Sequence, residues 1–478
     1  PGFHTSLSIP TMCSSFSVSL SLPLLLISLS LSHSSPNSHA IQPMAGLDPS
    51  ELQTLFKIME AMSSDRLWRV SYPNPCQPGS LWQGLECVRG RDSKFHVSRL
   101  DFGAPPNPKC KPTAKFPLEI FQLPYLQSVF FFNCFTAAGA TLSVSPVRLS
   151  GSSLQQLSLR SNPALVGPIP SQLSSLKSLK ILTLSQNRHT GRIPVSIFSL
   201  TSLEHLDLSY NLLTGAVPNQ LTGLRNLQGL DLSYNSLSGM IPSRIGDLGK
   251  LQKLDLSSNR LVGGIPDSIE KLASLNFVAL SDNELRGGFP RGLGKLQSLE
   301  YFIMDGNPMF TPLPLDFGKL FRLQELRLAD SGYSGSIPAS YSQLMNLTAL
   351  SLQNNRLAGE IPAGLGRLPR IYHMNLSRNL LGGVVPFSPI FLKRLGRNLD
   401  LDGNQGLCLK SSEGTYGGKI GVGVCGRKET ASVIHPVKKS EAPSSSSGWL
   451  CKSYHLLLCF IIWVVKDLIF SYSWVSYE

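Results

Sequence analysis

Cysteine is the residue type whose spacing in this 478-residue chain indicates a definite chemistry. Six of the nine cysteines flank a cysteine-free middle that runs from residue 135 to residue 407. This distribution is typical of an exported protein that forms disulfide bonds at its two ends. Six cysteines allow fifteen connectivities, and we expect nearest neighbours to pair. The six are Cys76, Cys87, Cys110, Cys134, Cys408 and Cys425.

Catalytic and metal-binding patterns are not found in the sequence. The nine histidines lack the spacing of metal ligands, and no His-Glu-x-x-His, Gly-x-Ser-x-Gly or phosphate-binding loop is present. The glycine-rich stretch from Gly417 to Gly423 lies between two of the cysteines and has no Ser or Thr partner for a nucleotide-bound magnesium ion. We therefore predict a protein that is not an enzyme and has no cofactor or metal.

Composition and charge exclude two broad classes. Charged residues make up 15% of the chain and hydrophobic residues 42%, which argues against a disordered protein. The net charge is +13, and residues 361–440 hold twelve Lys or Arg against four Asp or Glu. These basic residues are not interleaved with aromatic ones, so we predict no nucleic-acid partner. A solvated surface is the preferred interpretation, and binding to an acidic cell-wall polysaccharide such as pectin is the alternative.

A repeat of 24 residues positions the polar residues and decides the fold. The pattern Leu-x-x-Leu-x-Leu-x-x-Asn recurs eleven times, and several copies continue as Gly-x-Ile-Pro. The spacing is 24 residues except for 25 at the first and last intervals. The Asn position is occupied by Asn162, Asn187, Asn211, Asn235, Asn259, Asn283, Asn307, Ser331, Asn355, Asn379 and Asn404. Because Ser331 replaces Asn, we expect a weaker contact there.

The residue types explain how each repeat folds. The last two leucines alternate with period two, which predicts a short strand with one buried face. A buried Asn can satisfy backbone groups of its own and the neighbouring repeat, while Pro ends the strand and Gly permits the bend. One repeat cannot bury its own apolar side, so stability comes from stacking. Two weaker copies precede the eleven, at Leu126–Cys134 and at Val97–Phe102, and residues 136–153 are predicted to form a loop.

The segment Leu213-Thr214-Gly215-Ala216-Val217-Pro218 resembles the repeat of plant-type extracellular leucine-rich repeat proteins. This resemblance covers about three quarters of the chain. It implies an α/β fold, a right-handed leucine-rich repeat solenoid of plant-specific 24-residue repeats with a parallel sheet on its concave side.

Both ends are expected to carry caps that are stapled by disulfide bonds. Asp48-Pro49-Ser50-Glu51 predicts a helix start, with Asp as N-cap and Glu at the third position, and an apolar stripe of Leu52, Leu55, Phe56, Met59 and Met62 follows. Cys76 to Cys87 and Cys408 to Cys425 resemble the two caps of plant leucine-rich repeat receptors. We predict a signal peptide at 1–40, an N-terminal cap at 41–96, repeats at 97–407, a C-terminal cap and basic segment at 408–440, and a linker with a hydrophobic tail at 441–478.

The termini indicate export and a surface location. An apolar, uncharged run follows Met12, the expected start, and it matches a signal peptide apart from the missing basic residues. Translation from Met44 would instead give a cytosolic product. The tail holds ten apolar residues from Leu456 to Val465, which is short for a spanning helix, so a transmembrane segment, a lipid anchor and a soluble form all stay open. We predict the extracellular face of the plasma membrane, with the cell wall as the alternative.

The stretch from Phe130 to Cys134 and that from Ser152 to Gln155 resemble the kinase-less receptor-like proteins of the Too Many Mouths-like group. The resemblance implies a protein that binds a secreted peptide, a receptor kinase ectodomain, or both, and signals through its partners in development or defence. The Gly-x-Ile-Pro repeat is shared with polygalacturonase inhibitors, so a secreted wall protein that blocks a wall-degrading enzyme is the alternative. A structural wall-adhesion protein is a third possibility.

Polar and aromatic residues at outward strand positions form a candidate ligand face. Aspartates recur between the last two leucines, and two tyrosines and a histidine lie nearby. One interpretation is that Asp simply suits the Leu-Asp-Leu-Ser unit. The other is an acidic, aromatic surface that docks a basic peptide or a receptor ectodomain. The candidates are His205, Asp207, Tyr210, Asp231, Tyr234 and Asp255.

Two glycosylation sequons are present, at Asn346 and Asn375. Asn375 falls on an outward strand position. A glycan there would block that part of the face, so we expect ligands to bind on its amino-terminal side.

Overall fold

The computed structural model describes residues 46–426, apart from 78, 81, 138, 143, 145–148 and 150. The predicted signal peptide and the predicted linker and tail lie outside the described residues. The described chain forms two compact units. The first contains residues 46–166 and 175–181, and the second contains residues 167–174 and 182–426.

The first unit begins with the predicted helix α1, which spans Pro49–Met62. The Asp48 side chain accepts a hydrogen bond from the Ser50 backbone N–H at 3.0 Å and caps the helix. The apolar stripe faces inward, since Leu55, Phe56, Met59 and Met62 are buried. A short helix α2 spans Trp68–Ser71.

Glu51 has a different role from the expected one. Its carboxylate is buried and accepts a hydrogen bond from the Val97 backbone N–H at 2.8 Å, while its second oxygen lies 2.8 Å from Nδ1 of His96. Nε2 of His96 lies 3.1 Å from the carboxylate of Asp92. Glu51 therefore ties the helix to the following strand, which sequence spacing of 45 residues does not reveal.

The strands of the first unit include both weak repeats. They are β1 (Leu85–Arg89), β2 (Phe95–Phe102), β3 (Ser128–Phe132), β4 (Ala140–Thr141), β5 (Gln156–Arg160) and β6 (Leu165–Pro168). β1 pairs antiparallel with β2, after which β2, β3 and β5 pair in parallel. β4 pairs in parallel with β6, so the prediction of a loop throughout residues 136–153 is wrong at Ala140–Thr141.

The remaining strands form two alternating series, with two short strands in most repeats. The first series contains β7 (Ile181–Thr183), β9 (His205–Asp207), β11 (Gly229–Asp231), β13 (Lys253–Asp255), β15 (Phe277–Ala279), β17 (Tyr301–Ile303), β18 (Glu325–Arg327), β20 (Ala349–Ser351), β22 (His373–Asn375) and β24 (Leu399–Asp400). The second series contains β8 (Arg188–Gly191), β10 (Leu212–Ala216), β12 (Ser236–Met240), β14 (Arg260–Gly263), β16 (Glu284–Leu285), β19 (Ser334–Gly335), β21 (Arg356–Gly359), β23 (Leu380–Val384) and β25 (Gly406–Cys408).

From β9 to β24 the first series forms one continuous parallel sheet. We call its outward side the strand face. It is the side that the resemblance to plant repeats assigns to the concave surface.

Helical turns complete the repeats and close the C-terminal end. Two further α-helices are α3 (Pro389–Leu395) and α4 (Gly417–Ile420). The 3-10 turns span Leu118–Gln122, Ser171–Ser175, Val195–Ser199, Asn219–Gly223, Ile245–Asp247, Asp267–Lys271, Leu293–Lys295, Leu315–Lys319, Ala339–Gln343, Ala363–Arg367, Gly396–Asn398 and Ser411–Tyr416. The glycine-rich stretch 417–423 therefore begins with a one-turn helix inside the C-terminal end rather than a nucleotide-binding loop.

The predicted asparagines connect neighbouring repeats. The Asn235 amide nitrogen donates to the backbone oxygens of Leu208, Leu232 and Ser233 at 3.0–3.1 Å. Its amide oxygen accepts from the Leu213 N–H at 3.0 Å. One side chain thus satisfies backbone groups of two repeats, as its donor and acceptor count predicts.

Three disulfide bonds join the six cysteines in nearest-neighbour order. Cys76 pairs with Cys87, Cys110 with Cys134 and Cys408 with Cys425. The last pair lies at the C-terminal end of the described chain, where the exposed edge of the stacked repeats needs closure.

Candidate ligand-binding face

Three neighbouring strands bring the candidate residues together. Register pairs Asp231 with Asp207 on one side and with Asp255 on the other. The leucines that precede these aspartates, including Leu230, are buried, so the carboxylates emerge on the strand face. We call the set His205, Asp207, Tyr210, Asp231, Tyr234 and Asp255, together with Lys253, the acidic–aromatic face.

Each aspartate also makes a local bond that explains its frequency. Asp207 accepts from the backbone N–H of Ser209 at 3.0 Å and from its hydroxyl at 2.7 Å. Asp231 makes the same two bonds to Ser233, at 3.1 and 2.7 Å. Asp255 accepts from the Ser257 N–H at 3.1 Å. A side chain that caps the backbone two residues later is a structural reason for Asp in the Leu-Asp-Leu-Ser unit.

Lys253 is a part of this face that the sequence analysis missed. Its ammonium lies 2.9 Å from the second carboxylate oxygen of Asp231 and 5.6 Å from the ring centre of Phe277. Phe277 in turn is the register partner of Tyr301, with ring centres 6.0 Å apart. Lys253, Phe277 and Tyr301 share the repeat position of His205, so the 24-residue spacing alone could have found them.

The two tyrosines form one aromatic surface. Tyr210 and Tyr234 stack with ring centres 4.1 Å apart and planes inclined by 9°. Both have a backbone φ of 52°, in the left-handed region, and Tyr210 is 42% exposed. Each directly precedes one of the asparagine positions that connect neighbouring repeats, which we call ladder positions. This backbone conformation aims the two rings at each other along the sheet edge.

His205 is the remaining predicted residue. Its register partner is Gly229, and a Cβ added to Gly229 would lie 2.7 Å from Nδ1 of His205. The imidazole therefore leans over the glycine, toward the strand that carries Asp231.

Burial shifts the pKa values of charged residues in the acidic–aromatic face. It raises the pKa of Asp207, and the neighbouring Asp231 carboxylate raises it further. Burial, with repulsion from Asp231, raises the pKa of Asp255 to about 7, against the attraction of Lys253. For Lys253, burial lowers the pKa, but Asp231 and Asp255 outweigh it and the net direction is upward. The face is therefore less negative at neutral pH than three aspartates suggest.

The two sequons occupy different environments. The Asn346 amide nitrogen donates to the backbone oxygen of Phe321 at 2.7 Å on an exposed turn. Asn375 ends β22, and its amide oxygen accepts from the backbone N–H and the hydroxyl of Ser377 at 3.0 and 2.7 Å. Asn375 thus makes the same cap as the aspartates of the acidic–aromatic face. Occupancy by glycans stays a prediction.

The described residues contain neither a candidate metal site nor a membrane-spanning helix. Between residues 46 and 426, leaving aside the undescribed positions, no group of three or more His, Cys, Asp or Glu could hold a metal ion. No helix among the described residues is long and apolar enough to cross a bilayer.

Family models identify the repeats. A leucine rich repeat model matches residues 152–213, 177–237, 211–261 and 249–309, and a second leucine rich repeat model matches residues 346–368. The matched segments lie within residues 152–309 and 346–368, so these parts of the chain are leucine-rich repeats. The predicted fold class is confirmed by these matches and by the parallel strand series.

Two proteins of Arabidopsis thaliana are similar to part of this chain. The leucine-rich repeat chain is 65% identical over 144 residues to Receptor like protein 29 of Arabidopsis thaliana, which is 30% of this chain and 31% of that protein. It is 38% identical over 142 residues to Protein Too Many Mouths of the same plant, covering 29% and 27%. The matched region thus spans about three tenths of each relative. The expected resemblance to the Too Many Mouths-like group is confirmed.

Solved structures of plant receptors are similar in fold to the leucine-rich repeat chain. The complex of PEPR1 and AtPEP1 matches with a TM-score of 0.56 at 26% identity, covering 75% of this chain and 51% of that one. The crystal structure of a TDR receptor matches with a TM-score of 0.55 at 28% identity, covering 65% and 53%.

Proposed function

We propose that this leucine-rich repeat protein is a non-catalytic, cell-surface receptor-like protein that binds a peptide or a receptor ectodomain through its acidic–aromatic face. The observation that carries the proposal is the stacked pair of Tyr210 and Tyr234 beside the row of aspartates. Aromatic rings on a rigid surface are common anchors of protein interfaces, because few torsions must be ordered on binding. Similarity to plant receptor-like proteins supports the receptor role.

The charge of the face favours a basic partner. Asp231 forms an ion pair with Lys253, and register places Asp207 and Asp255 on either side of that pair. A cationic side chain that approaches Asp255 would favour its ionised form, which burial otherwise disfavours. We therefore expect binding of a basic peptide to tighten as pH rises through the pKa of Asp255, about 7.

The tyrosine pair gives the sharpest test. The full chain, its Tyr210→Ala/Tyr234→Ala double variant and a Tyr372→Ala control are used as baits in plant membrane extracts, with bound proteins and peptides quantified by mass spectrometry. Tyr372 is 61% exposed and directly precedes β22 of the same sheet, outside the acidic–aromatic face, so it serves as an exposed-tyrosine control. We expect the double variant to lose specific partners at least fivefold while the control keeps them.

Two results would contradict the proposal. Equal recovery of every partner by the double variant would remove the acidic–aromatic face as the binding site. Inhibition of a polygalacturonase by the purified chain would instead favour the alternative of a wall-protein inhibitor. Charge reversal at Asp231 would be a less specific test, because it also breaks the bonds to Ser233 and Lys253.

A further inference from the structure

A second candidate site lies in the second unit, apart from the acidic–aromatic face. The second series of strands is interrupted between Leu285, where β16 ends, and Ser334, where β19 begins. A recess of about 500 Å³ opens there. Its wall includes Gly306, Phe310, Asp330, Gly332, Asn354 and Arg356.

Two glycines create the space. Gly306 occupies the repeat position at which Tyr210 and Tyr234 project their rings, and Gly332 occupies the position of Arg356 in the next repeat. Both have left-handed backbones, with φ of 69° and 71°. A Cβ on Gly332 would lie 2.5 Å from the ring of Phe310, so the phenyl ring rests directly on this glycine.

Phe310 is unusual in two respects that packing does not explain. Its side chain is 61% exposed although it is fully apolar. Its backbone has a φ of 46°, which an unbranched aromatic residue adopts only at a cost of about 1 kcal/mol. In the second unit, the other non-glycine residues with positive φ directly precede a ladder position, whereas Phe310 lies three residues after Asn307. An exposed ring held in this way is available for a ligand.

The polar groups around the ring carry balanced charge. The Arg356 guanidinium lies 5.5 Å from the ring centre of Phe310, and Asp330 and Asn354 line the same recess. Within the described chain, the side chains of Asp330, Asn354 and Arg356 form no hydrogen bond or ion pair. A donor, an acceptor and an amide are thus available together beside an aromatic surface.

We propose that this recess binds a neutral pyranose ring of an oligosaccharide. The guanidinium disfavours a cationic ligand over the phenyl ring, and the carboxylate disfavours an anionic one. The open, polar wall disfavours a purely apolar ligand. A pyranose offers an apolar C–H face that stacks on Phe310. Its vicinal hydroxyls can donate hydrogen bonds to Asp330, accept them from Arg356, and do either with Asn354.

The test uses the full chain after enzymatic removal of N-linked glycans, which keeps its own sugars from competing. Cellotetraose, mannotetraose and galactotetraose are titrated by saturation-transfer NMR, with trigalacturonate and a tetralysine peptide as charged probes. We compare the unaltered chain with Phe310→Ala and with a Phe321→Ala control, because Phe321 is 54% exposed but does not line the recess. Unchanged thermal unfolding of both variants checks that the fold is intact.

We expect at least one neutral tetrasaccharide to bind, with affinity lowered at least fivefold by Phe310→Ala and unchanged by Phe321→Ala. Raising the salt concentration from 20 to 200 mM should leave this affinity unchanged, since the ligand has no charge. Absence of binding by all three neutral probes, or equal loss in both variants, would overturn the proposal. Phe310-dependent binding of trigalacturonate or tetralysine alone would also overturn it and assign the recess to a charged ligand.

Discussion

The repeat around Asn235 and the repeat around Ser331 meet the same requirement with different numbers of hydrogen bonds. Asn235 donates to three backbone oxygens and accepts one N–H. The Ser331 hydroxyl donates to the Ala329 oxygen at 2.7 Å, reaches the Met304 oxygen only at 3.4 Å, and accepts from the Asn307 N–H at 3.2 Å. The shorter side chain cannot span two repeats as well as an amide does.

The difference is confined to one side of the molecule. In the Asn307 repeat, directly before that of Ser331, the second-series strand is replaced by one isolated bridge between Pro312 and Ser334, because Pro308 and Pro312 lack the N–H groups that a strand needs. The strand face continues without a break, since Tyr301–Ile303 pairs with Glu325–Arg327. The repeat therefore tolerates irregularity where it opens a recess while the sheet that carries the acidic–aromatic face stays regular.

The largest loss of stability is expected when the asparagine of a regular repeat is removed. Asn235→Ala leaves carbonyl groups and the Leu213 N–H without their partner, so we expect the free energy of unfolding to fall by about 3 kcal/mol. Chemical denaturation followed by circular dichroism measures this change. Asn226→Ala is the control, because that exposed amide bonds to the Thr201 oxygen and to the Lys250 ammonium at the surface, and its loss should change stability by less than about 0.5 kcal/mol.

A smaller loss of stability is expected at Ser331. Ser331→Ala removes one short bond and two longer ones, so we expect a loss of about 1 kcal/mol in the same denaturation experiment. A loss as large as that of Asn235→Ala would show that Asn235 and Ser331 contribute equally to stability, which would contradict the expected difference between them.

Asp255→Asn tests whether the acidic row costs stability. Because the pKa of Asp255 is raised to about 7, the folded chain keeps a proton that the unfolded chain has lost between about pH 4 and pH 7. Stability therefore falls as pH rises through this range. The amide can still cap Ser257, as Asn375 caps Ser377. We expect the variant to be more stable than the unaltered chain at pH 8, on the order of 1 kcal/mol, and equal to it near pH 4. Thermal melts at both pH values measure this difference in stability. A difference that is the same at pH 4 and pH 8 would contradict a raised pKa of Asp255.

The smallest effect at neutral pH is expected at His189, which occupies the position that Leu213 takes in the next repeat. Its ring is buried; Nδ1 donates to the Gly167 oxygen at 3.2 Å, and Nε2 has no partner within the described residues. Burial lowers the pKa of His189, so stability falls as pH drops below its ordinary value near 6.5.

We expect the free energy of unfolding of His189→Leu to differ from that of the unaltered chain by about 0.5 kcal/mol at pH 8. As pH falls toward 5, the variant should become progressively more stable than the unaltered chain. His373→Leu, at a half-buried position of the strand face, is the control. Parallel pH profiles of His189→Leu and the unaltered chain would show that His189 is not held neutral.

The regular part of the fold and of the acidic–aromatic face was predictable because it depends on spacing. A 24-residue period determines which leucines are buried and sets Asp207, Asp231 and Asp255 in one register. Contacts between residues that share no period were not predictable. The bond between Glu51 and Val97 spans 46 residues of unlike sequence, and Ala140–Thr141, which pairs with Leu165–Val166, has no repeat signature of its own.

The left-handed residue before each ladder position limits what this edge of the sheet can display. In the second unit the non-glycine residues there are Gln186, Tyr210, Tyr234, Ser258, Asp282, Asp330, Asn354 and Arg378. None is branched at Cβ, because Val, Ile and Thr are strongly disfavoured at such angles. Substitution at these positions, by natural drift or in a designed library, is thereby restricted to a subset of residue types. Aromatic, amide, acidic and guanidinium side chains are accepted there, whereas β-branched side chains are strongly disfavoured.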